Sequence, residues 1–180
     1  MALLSYIASL TATVLGFLEP FGKKMKTILL LNFLGNLLVG ISYLLVSVYS
    51  GTAICFTACV QVLINYTYDA RGRKLPTWLV VLEAAVFLVV NVLVFAHWYD
   101  ILALAAAMLF VVSVAQNDAK YYRVLYMSNS MVWIVYDLLA GAYGNLFTHV
   151  VLFLATMTAI LLRDIKNKKS GSDRRETEES

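Results

Sequence analysis

The sequence predicts an all-helical membrane protein of seven transmembrane helices, and three observations predict it. Of the 180 residues, 61% are hydrophobic and 14% charged, whereas soluble domains run near 45–50% apolar and about 25% charged. A mean hydropathy of +0.78 means more apolar surface than a soluble core of this length can hide. With 2 prolines and 9 glycines, the chain has neither the composition of a disordered or collagen-like polymer nor that of a turn-rich β protein. Together these figures exclude soluble enzymes, secreted disulfide scaffolds and nucleic-acid-binding domains.

Crossing about 30 Å of hydrocarbon takes about 20 helical residues. Apolar runs fall at 2–18, 26–48, 52–68, 76–96, 99–116, 121–141 and 144–163. The first, within MALLSYIASLTATVLGFLEP, lacks the basic n-region of a signal peptide and reads as a retained helix, closed by GKKMK. The second ends at Tyr49-Ser50-Gly51. The third holds Cys55 and Cys59, one helical turn apart among apolar residues, where small buried side chains are the simpler reading than a metal or redox pair. DARGRKLP closes it, and the fourth runs from Pro76 to HWYD with Glu83 inside it. The fifth ends at QNDAK and the sixth at AYGN; the seventh ends near Arg163, and a polar tail, expected to be disordered, follows from Lys166. Three of the runs are short, which predicts helices that are little tilted or partly shielded from lipid.

The charges fix an orientation for this count. Lys23, Lys24 and Lys26 follow helix one; Arg71, Arg73 and Lys74 follow helix three; Lys120 and Arg123 follow helix five. Arg163, Lys166, Lys168, Lys169, Arg174 and Arg175 follow helix seven. All 14 Lys and Arg thus fall on one face, while the opposite breaks carry His97 and Asp100 but no positive charge. The positive-inside rule places that face in the cytoplasm, with the N-terminus outside and the C-terminus inside. The net charge of +3 therefore records topology and not an acidic ligand.

Shifting the second half back by 93 positions lays Asn129 on Asn36, Tyr136 on Tyr43 and Gly144 on Gly51, and nearly superposes the two basic loops. Helices one to three then repeat as five to seven, with helix four as the odd element that restores the starting side. The expected organisation is a first triplet over residues 1–70, a linker helix over 71–97, a second triplet over 98–165 and a cytoplasmic tail over 166–180. Such a parallel 3+1+3 repeat has its axis along the membrane normal, and transporters use it to place a site between halves.

This layout, with Asn, Trp and Tyr on a helix before a short outer turn, resembles the SWEET, PQ-loop and KDEL-receptor superfamily. More narrowly, NSMVWIVYDLLAGAYGN (Asn129 to Asn145), preceded by Lys120 and Arg123 and followed by a helix ending in Arg163, resembles the YgjV-type family of bacterial inner-membrane proteins over most of residues 15–165. The resemblance implies a seven-helix bundle in the bacterial inner membrane and small-solute transport. The chain departs from sugar-transporting SWEET proteins in three respects. Pro20 and Pro76 sit only at helix ends, Trp133 has Gly40 and His149 has Phe56 as counterpart, and no PQ dipeptide is present, although Gln116 follows helix five.

At 100° per residue, Asn32, Asn36 and Tyr43 point within about 40° of one another, as do Asn129, Trp133 and Tyr136 with Asp137 on the flank. Thr57, Gln61, Asn65 and Tyr68 make a stripe on helix three, and Asn145, His149 and Thr156 another on helix seven. Four polar stripes on equivalent helices predict a shared central cavity, because an unpaired amide in hydrocarbon costs several kcal/mol. Each amide is equally read as interhelical glue, at about 0.6 kcal/mol. Asn36, Tyr43, Gln61, Asn65, Asn129, Trp133, Tyr136 and His149 are the candidate substrate pathway, their aromatic faces and amides suiting a neutral polar solute such as a sugar, nucleoside or vitamin. Glu83 and Asp137 are the candidates for proton coupling, since an intramembrane carboxylate costs roughly 2.5–3.5 kcal/mol and marks function by default. Asp137, about one turn from the outer end, is within expected reach of headgroup water; His149 is a candidate relay.

Neither HExxH, GxSxG, GxxxxGK nor a Cys/His metal spacing occurs, so no enzyme activity, cofactor or metal is expected. The expected partners are a small-molecule solute, the lipid bilayer and, in a homo-oligomer, further copies of the chain; nucleic acid is not among them. The leading expectation is an alternating-access transporter, and the alternative is a non-transporting receptor or assembly module of the same fold.

Overall fold

Apolar runs punctuated by glycine, proline and basic residues leave the chain few ways to satisfy its backbone except as helices. The computed structural model describes residues 2–116 and 118–165. It contains seven α-helices: α1 (Ala2–Leu18), α2 (Met25–Leu45), α3 (Tyr49–Ala70), α4 (Thr77–Val94), α5 (Asp100–Val114), α6 (Ala119–Ala140) and α7 (Tyr143–Ala159). A 3-10 turn, Glu19–Phe21, extends α1, and a π-helical turn, Ile160–Ile165, extends α7. No strand occurs among the described residues, and the expected tail lies outside them.

The helix ends follow from local chemistry. Pro20 sits at the start of the 3-10 turn, where its missing N–H costs nothing. Asp118 caps α6 by accepting the Lys120 N–H at 2.8 Å, satisfying a donor that the first turn leaves open. Gly141 ends α6 with φ +69°, the left-handed conformation that glycine adopts without a Cβ penalty.

Four helical segments are long and apolar enough to cross a membrane: Leu3–Phe21, Met25–Leu45, Thr77–Val94 and Tyr143–Leu162. Helix α5, at 15 residues, reaches only about 22 Å. Helices α3 and α6 have 22 residues each, about 33 Å, but carry the polar stripes and so are less apolar. Large apolar side chains are exposed on all seven helices, among them Leu3, Leu30, Val60, Leu93, Ile101, Met131 and Leu154. Such surface suits lipid, not water.

Consecutive packing of α1 on α2 and α2 on α3, and of α5 on α6 and α6 on α7, is closed by α1 against α7 and α3 against α5. Six helices therefore form a ring. Helix α4 stands outside it, touching α3 and α5. Accordingly α4 buries a single stripe, Leu79, Glu83, Phe87 and Asn91, four residues apart as one helical face requires.

The basic turns meet at one end. Lys26 Nζ donates to the Ala70 carbonyl at 3.4 Å; Arg123 donates from Nε to the Pro20 carbonyl at 2.7 Å and from Nη2 to that of Gly22 at 3.0 Å. A small cleft at the same end is lined by Met25, Asp69, Arg73 and Gln116.

Candidate functional site: a central polar cavity between two hydrogen-bonded layers

A cavity of about 40 Å³ lies inside the ring, lined from all six ring helices. Its polar lining comprises Asn32 and Asn36 of α2, Tyr126, Asn129 and Trp133 of α6, and Thr148 and His149 of α7, with Glu19 at one end. Small residues make the space. Nothing stands within 4 Å of a Cβ built on Gly35, and Ala12, Gly16 and Ala58 complete the wall.

The two matched asparagines bond differently. Asn36 Nδ2 reaches back along its own helix, donating to the Asn32 carbonyl at 3.0 Å and to Asn32 Oδ1 at 2.7 Å. Asn129 Nδ2 donates across to the Ala106 carbonyl of α5 at 2.6 Å. Trp133 stacks on His149 with ring centroids 5.5 Å apart and planes 9° from parallel, presenting an aromatic wall beside the amides.

Away from the basic end the cavity is closed by a layer around Asp137. Tyr43 Oη donates to Asp137 Oδ1 at 2.5 Å, and His149 Nδ1 lies 2.6 Å from Asp137 Oδ2. With the carboxylate ionised, this contact places the imidazole N–H on Nδ1. Asp137 does not reach headgroup water as expected: it is 0% exposed, because Tyr43 and His149 occupy its two oxygens. Next to it Tyr136 Oη lies 2.6 Å from Ser50 Oγ and accepts the Gly51 N–H at 3.1 Å. Ser50 donates to Asp100 Oδ1 at 2.6 Å, and Asp100 Oδ2 accepts the N–H groups of Ala96 and His97, each at 2.8 Å. Beyond Tyr136 an outer cleft of about 370 Å³ is lined by Ser50, Tyr99 and Asp100.

Toward the basic end the closing layer is built on Glu19. Its carboxylate accepts from Tyr122 Oη, from Asn32 Nδ2 at 3.0 Å and from Tyr126 Oη at 3.5 Å. Tyr122 and Tyr126 stack at 5.2 Å, and Arg123, buried beside them, ties α6 to the turn that follows Glu19. Glu19 is itself 1% exposed.

Of the residues singled out in the sequence, Asn36, Asn129, Trp133 and His149 line the cavity, and Tyr43, Tyr136 and Asp137 form its closing layer. Gln61, Asn65 and Glu83 are elsewhere. Gln61 Nε2 donates to Glu83 Oε2 at 2.8 Å between α3 and α4, so Gln61 faces the odd helix and not the cavity, while Asn65 and Tyr68 line the small cleft at the basic end. Cys55, read as a packing residue, does line the cavity. Glu19 and Arg123 escaped the sequence reading because both sit beside breaks, one as helix-ending punctuation and one as a loop cation. The signal that finds Glu19 is an acid directly before a proline, at the end of an apolar run and next to a basic cluster. The α1–α7 seam was missed as well. There Ser9 Oγ donates to Asn145 Oδ1 at 2.8 Å, and the Thr13 and Thr148 hydroxyls lie 2.9 Å apart.

Seven helices with an apolar exterior and a buried polar centre define a helical membrane protein. A family of bacterial inner membrane proteins, Imp-YgjV, matches residues 3–168. The chain belongs to this family. No curated protein and no solved structure matches it.

Proposed function

We propose that this protein is a multi-pass carrier of a small neutral polar solute, with all seven helices crossing the membrane as a 3+1+3 repeat, N-terminus outside and C-terminus in the cytoplasm. The observation that carries the reading is where the closing hydrogen bonds run. Tyr43 to Asp137 and Ser50 to Tyr136 join the first triplet to the second on one side of the cavity. Glu19 to Tyr122 and Arg123 to the Pro20 and Gly22 carbonyls join them on the other. Rocking one triplet against the other breaks one layer while leaving its opposite intact, which is what alternating access requires.

The ring order supports the repeat, since α1–α2–α3 and α5–α6–α7 pack in the same sequence and meet at α1–α7 and α3–α5. The meeting of the basic turns at one end supports the orientation. At about 40 Å³ the cavity has room for only a few waters, so this shape is the closed one and solute entry widens it. Asn36 and Asn129 supply amide donors and acceptors, and Trp133 an apolar face. That lining suits an uncharged solute with hydroxyl or amide groups. Asp137 with His149 is the proton-handling pair beside this pathway; Glu83 lies off it.

The test is uptake of labelled sugars, nucleosides and vitamins into proteoliposomes, run beside thermal-shift screening of the same compounds. At least one candidate should enter faster than into protein-free vesicles and stabilise the protein. Asn36→Ala with Asn129→Ala should reduce that uptake at least tenfold. If no candidate enters or stabilises, or the double variant leaves uptake unchanged, the carrier reading is wrong and a receptor or assembly role replaces it.

A further inference from the structure

The amides that line the central cavity are oriented by what their nitrogens touch. Asn36 turns its NH2 to the Asn32 carbonyl and to Asn32 Oδ1, and Asn129 turns its own to the Ala106 carbonyl. A backbone carbonyl only accepts, so each amide nitrogen is fixed on that side and each oxygen on the other. Neither Asn36 Oδ1 nor Asn129 Oδ1 has a hydrogen-bond partner among the described residues. Both residues line the cavity, and neither oxygen is one of the sealed, unpartnered polar atoms of this fold, which belong to Gln61, Asn65, Glu83 and Asn145. The two free oxygens therefore face the open space.

The other polar groups of the lining repeat this pattern. The Thr148 hydroxyl has the Ser9 and Gly144 carbonyls to donate to, each at 3.1 Å. His149, with its Nδ1 hydrogen on Asp137, keeps the lone pair of Nε2. At the end of the cavity, Glu19 Oε2 has only the Tyr126 hydroxyl, at 3.5 Å, beyond the usual O–H···O reach of about 2.5–3.0 Å. Apart from the weak Cys55 thiol, the hydrogens left over are the second amide hydrogen of Asn129 and the indole N–H of Trp133.

Acceptors thus outnumber donors on the cavity wall. A solute that brings only acceptors displaces the water from these oxygens and leaves them unpaired, whereas one that brings O–H or N–H groups pairs them. The Glu19 charge is already met on Oε1 by Asn32 and Tyr122, so a neutral donor suffices. We propose that the central cavity selects its solute by the hydrogen bonds the solute donates, and takes a neutral molecule with two or more O–H or N–H hydrogens, placed on Asn36 Oδ1 and Asn129 Oδ1. This narrows the carrier reading and rests on it for the cavity being the solute site.

The experiment titrates two pairs of isomers against the purified protein in detergent. Propylene glycol and propionamide donate hydrogen bonds; their isomers dimethoxymethane and dimethylformamide have the same atoms but no O–H or N–H. Trp78→Phe with Trp98→Phe, both side chains being more than half exposed, leaves Trp133 as the cavity's own fluorescent reporter. Unfolding temperature ranks the same four probes on the unaltered protein. Each donor should give a saturable change in Trp133 emission, and each isomer should need at least about tenfold more to reach it, as a site built for donors rejects analogues that lack them. Asn36 bonds only within α2, so Asn36→Ala cuts no bond between helices. It should raise the half-saturating concentration of the donors about fivefold, the worth of one net hydrogen bond, and leave the isomers unchanged. Saturation by only one of the two donors supports the proposal and names O–H or N–H as the group taken. Isomers that bind as tightly as the donors, no binding of either donor by both readouts, or donor binding unmoved by Asn36→Ala would each overturn it. A donor that binds yet never enters proteoliposomes sinks the carrier and leaves this selectivity standing. Uptake of a solute without donors does the reverse.

Discussion

Asp137 holds together the hydrogen-bonded layer on the side of the cavity away from the basic end. It is fully buried, and its two oxygens hold Tyr43 from α2 and His149 from α7. Asp137→Ala leaves a buried hydroxyl and an imidazole without their protein partner. It should destabilise the protein by about 2–4 kcal/mol, read as thermal or denaturant unfolding in detergent, whereas Asp137→Asn, which keeps an acceptor, should cost less than half as much. Glu19 makes the matching prediction at the basic end. Glu19→Ala removes the acceptor of the Tyr122 hydroxyl and leaves Asn32 Nδ2 only the Tyr122 and Tyr126 hydroxyls, and should open the cavity on that side, seen as faster amide exchange confined to the start of α6 and the turn after α1. Sequence alone gave Asp137 as an intramembrane acid but put it near water, since position along a helix tells depth and not which neighbours fold over a group. It omitted Glu19 because an acid at the end of an apolar run reads as a helix boundary.

At the scale of elements, close approach between helices is set where a glycine faces a fixed ring. A Cβ on Gly51 would stand 3.0 Å from the Tyr43 ring, which its hydroxyl anchors on Asp137. Gly51→Ala should therefore destabilise by about 1–3 kcal/mol through overpacking. Gly35→Ala meets nothing within 4 Å and should be neutral or stabilising by about 0.5–1 kcal/mol; side-by-side unfolding of the two variants checks the pair. The helix count and breaks were legible because hydropathy and basic clusters alternate along the chain. The direction of the α3 stripe was not. Spacing at 100° per residue tells that Gln61 and Asn65 share a face with Thr57, but which helix lies opposite is decided by the packing of the whole ring. There α4 takes the outer position beside α3.

At the scale of the molecule, Lys23, Lys24, Lys26, Arg71, Arg73, Lys74, Lys120 and Arg123 lie on or beside turns that meet at one end. A C-terminal reporter that is active only in the cytoplasm should therefore be active, and one that is active only outside should be silent; the reverse pattern would invert the orientation. The proposed repeat rests in the sequence on three matched residues and two nearly superposed basic loops, yet Asn36 and Asn129 make different bonds. The two halves share a packing order but not their side-chain bonds. The central claim is that a closed cavity between the triplets opens to each side in turn, and the chain carries its own reporter in Cys55, which lines the cavity and is 3% exposed. The most direct measurement is modification of Cys55 by a membrane-impermeant thiol reagent in a Cys59→Ala background, in right-side-out and in inverted vesicles. Alternating access predicts modification from both sides, slowed by any solute that the protein carries. Protection from both sides, or modification from one side only, would contradict it.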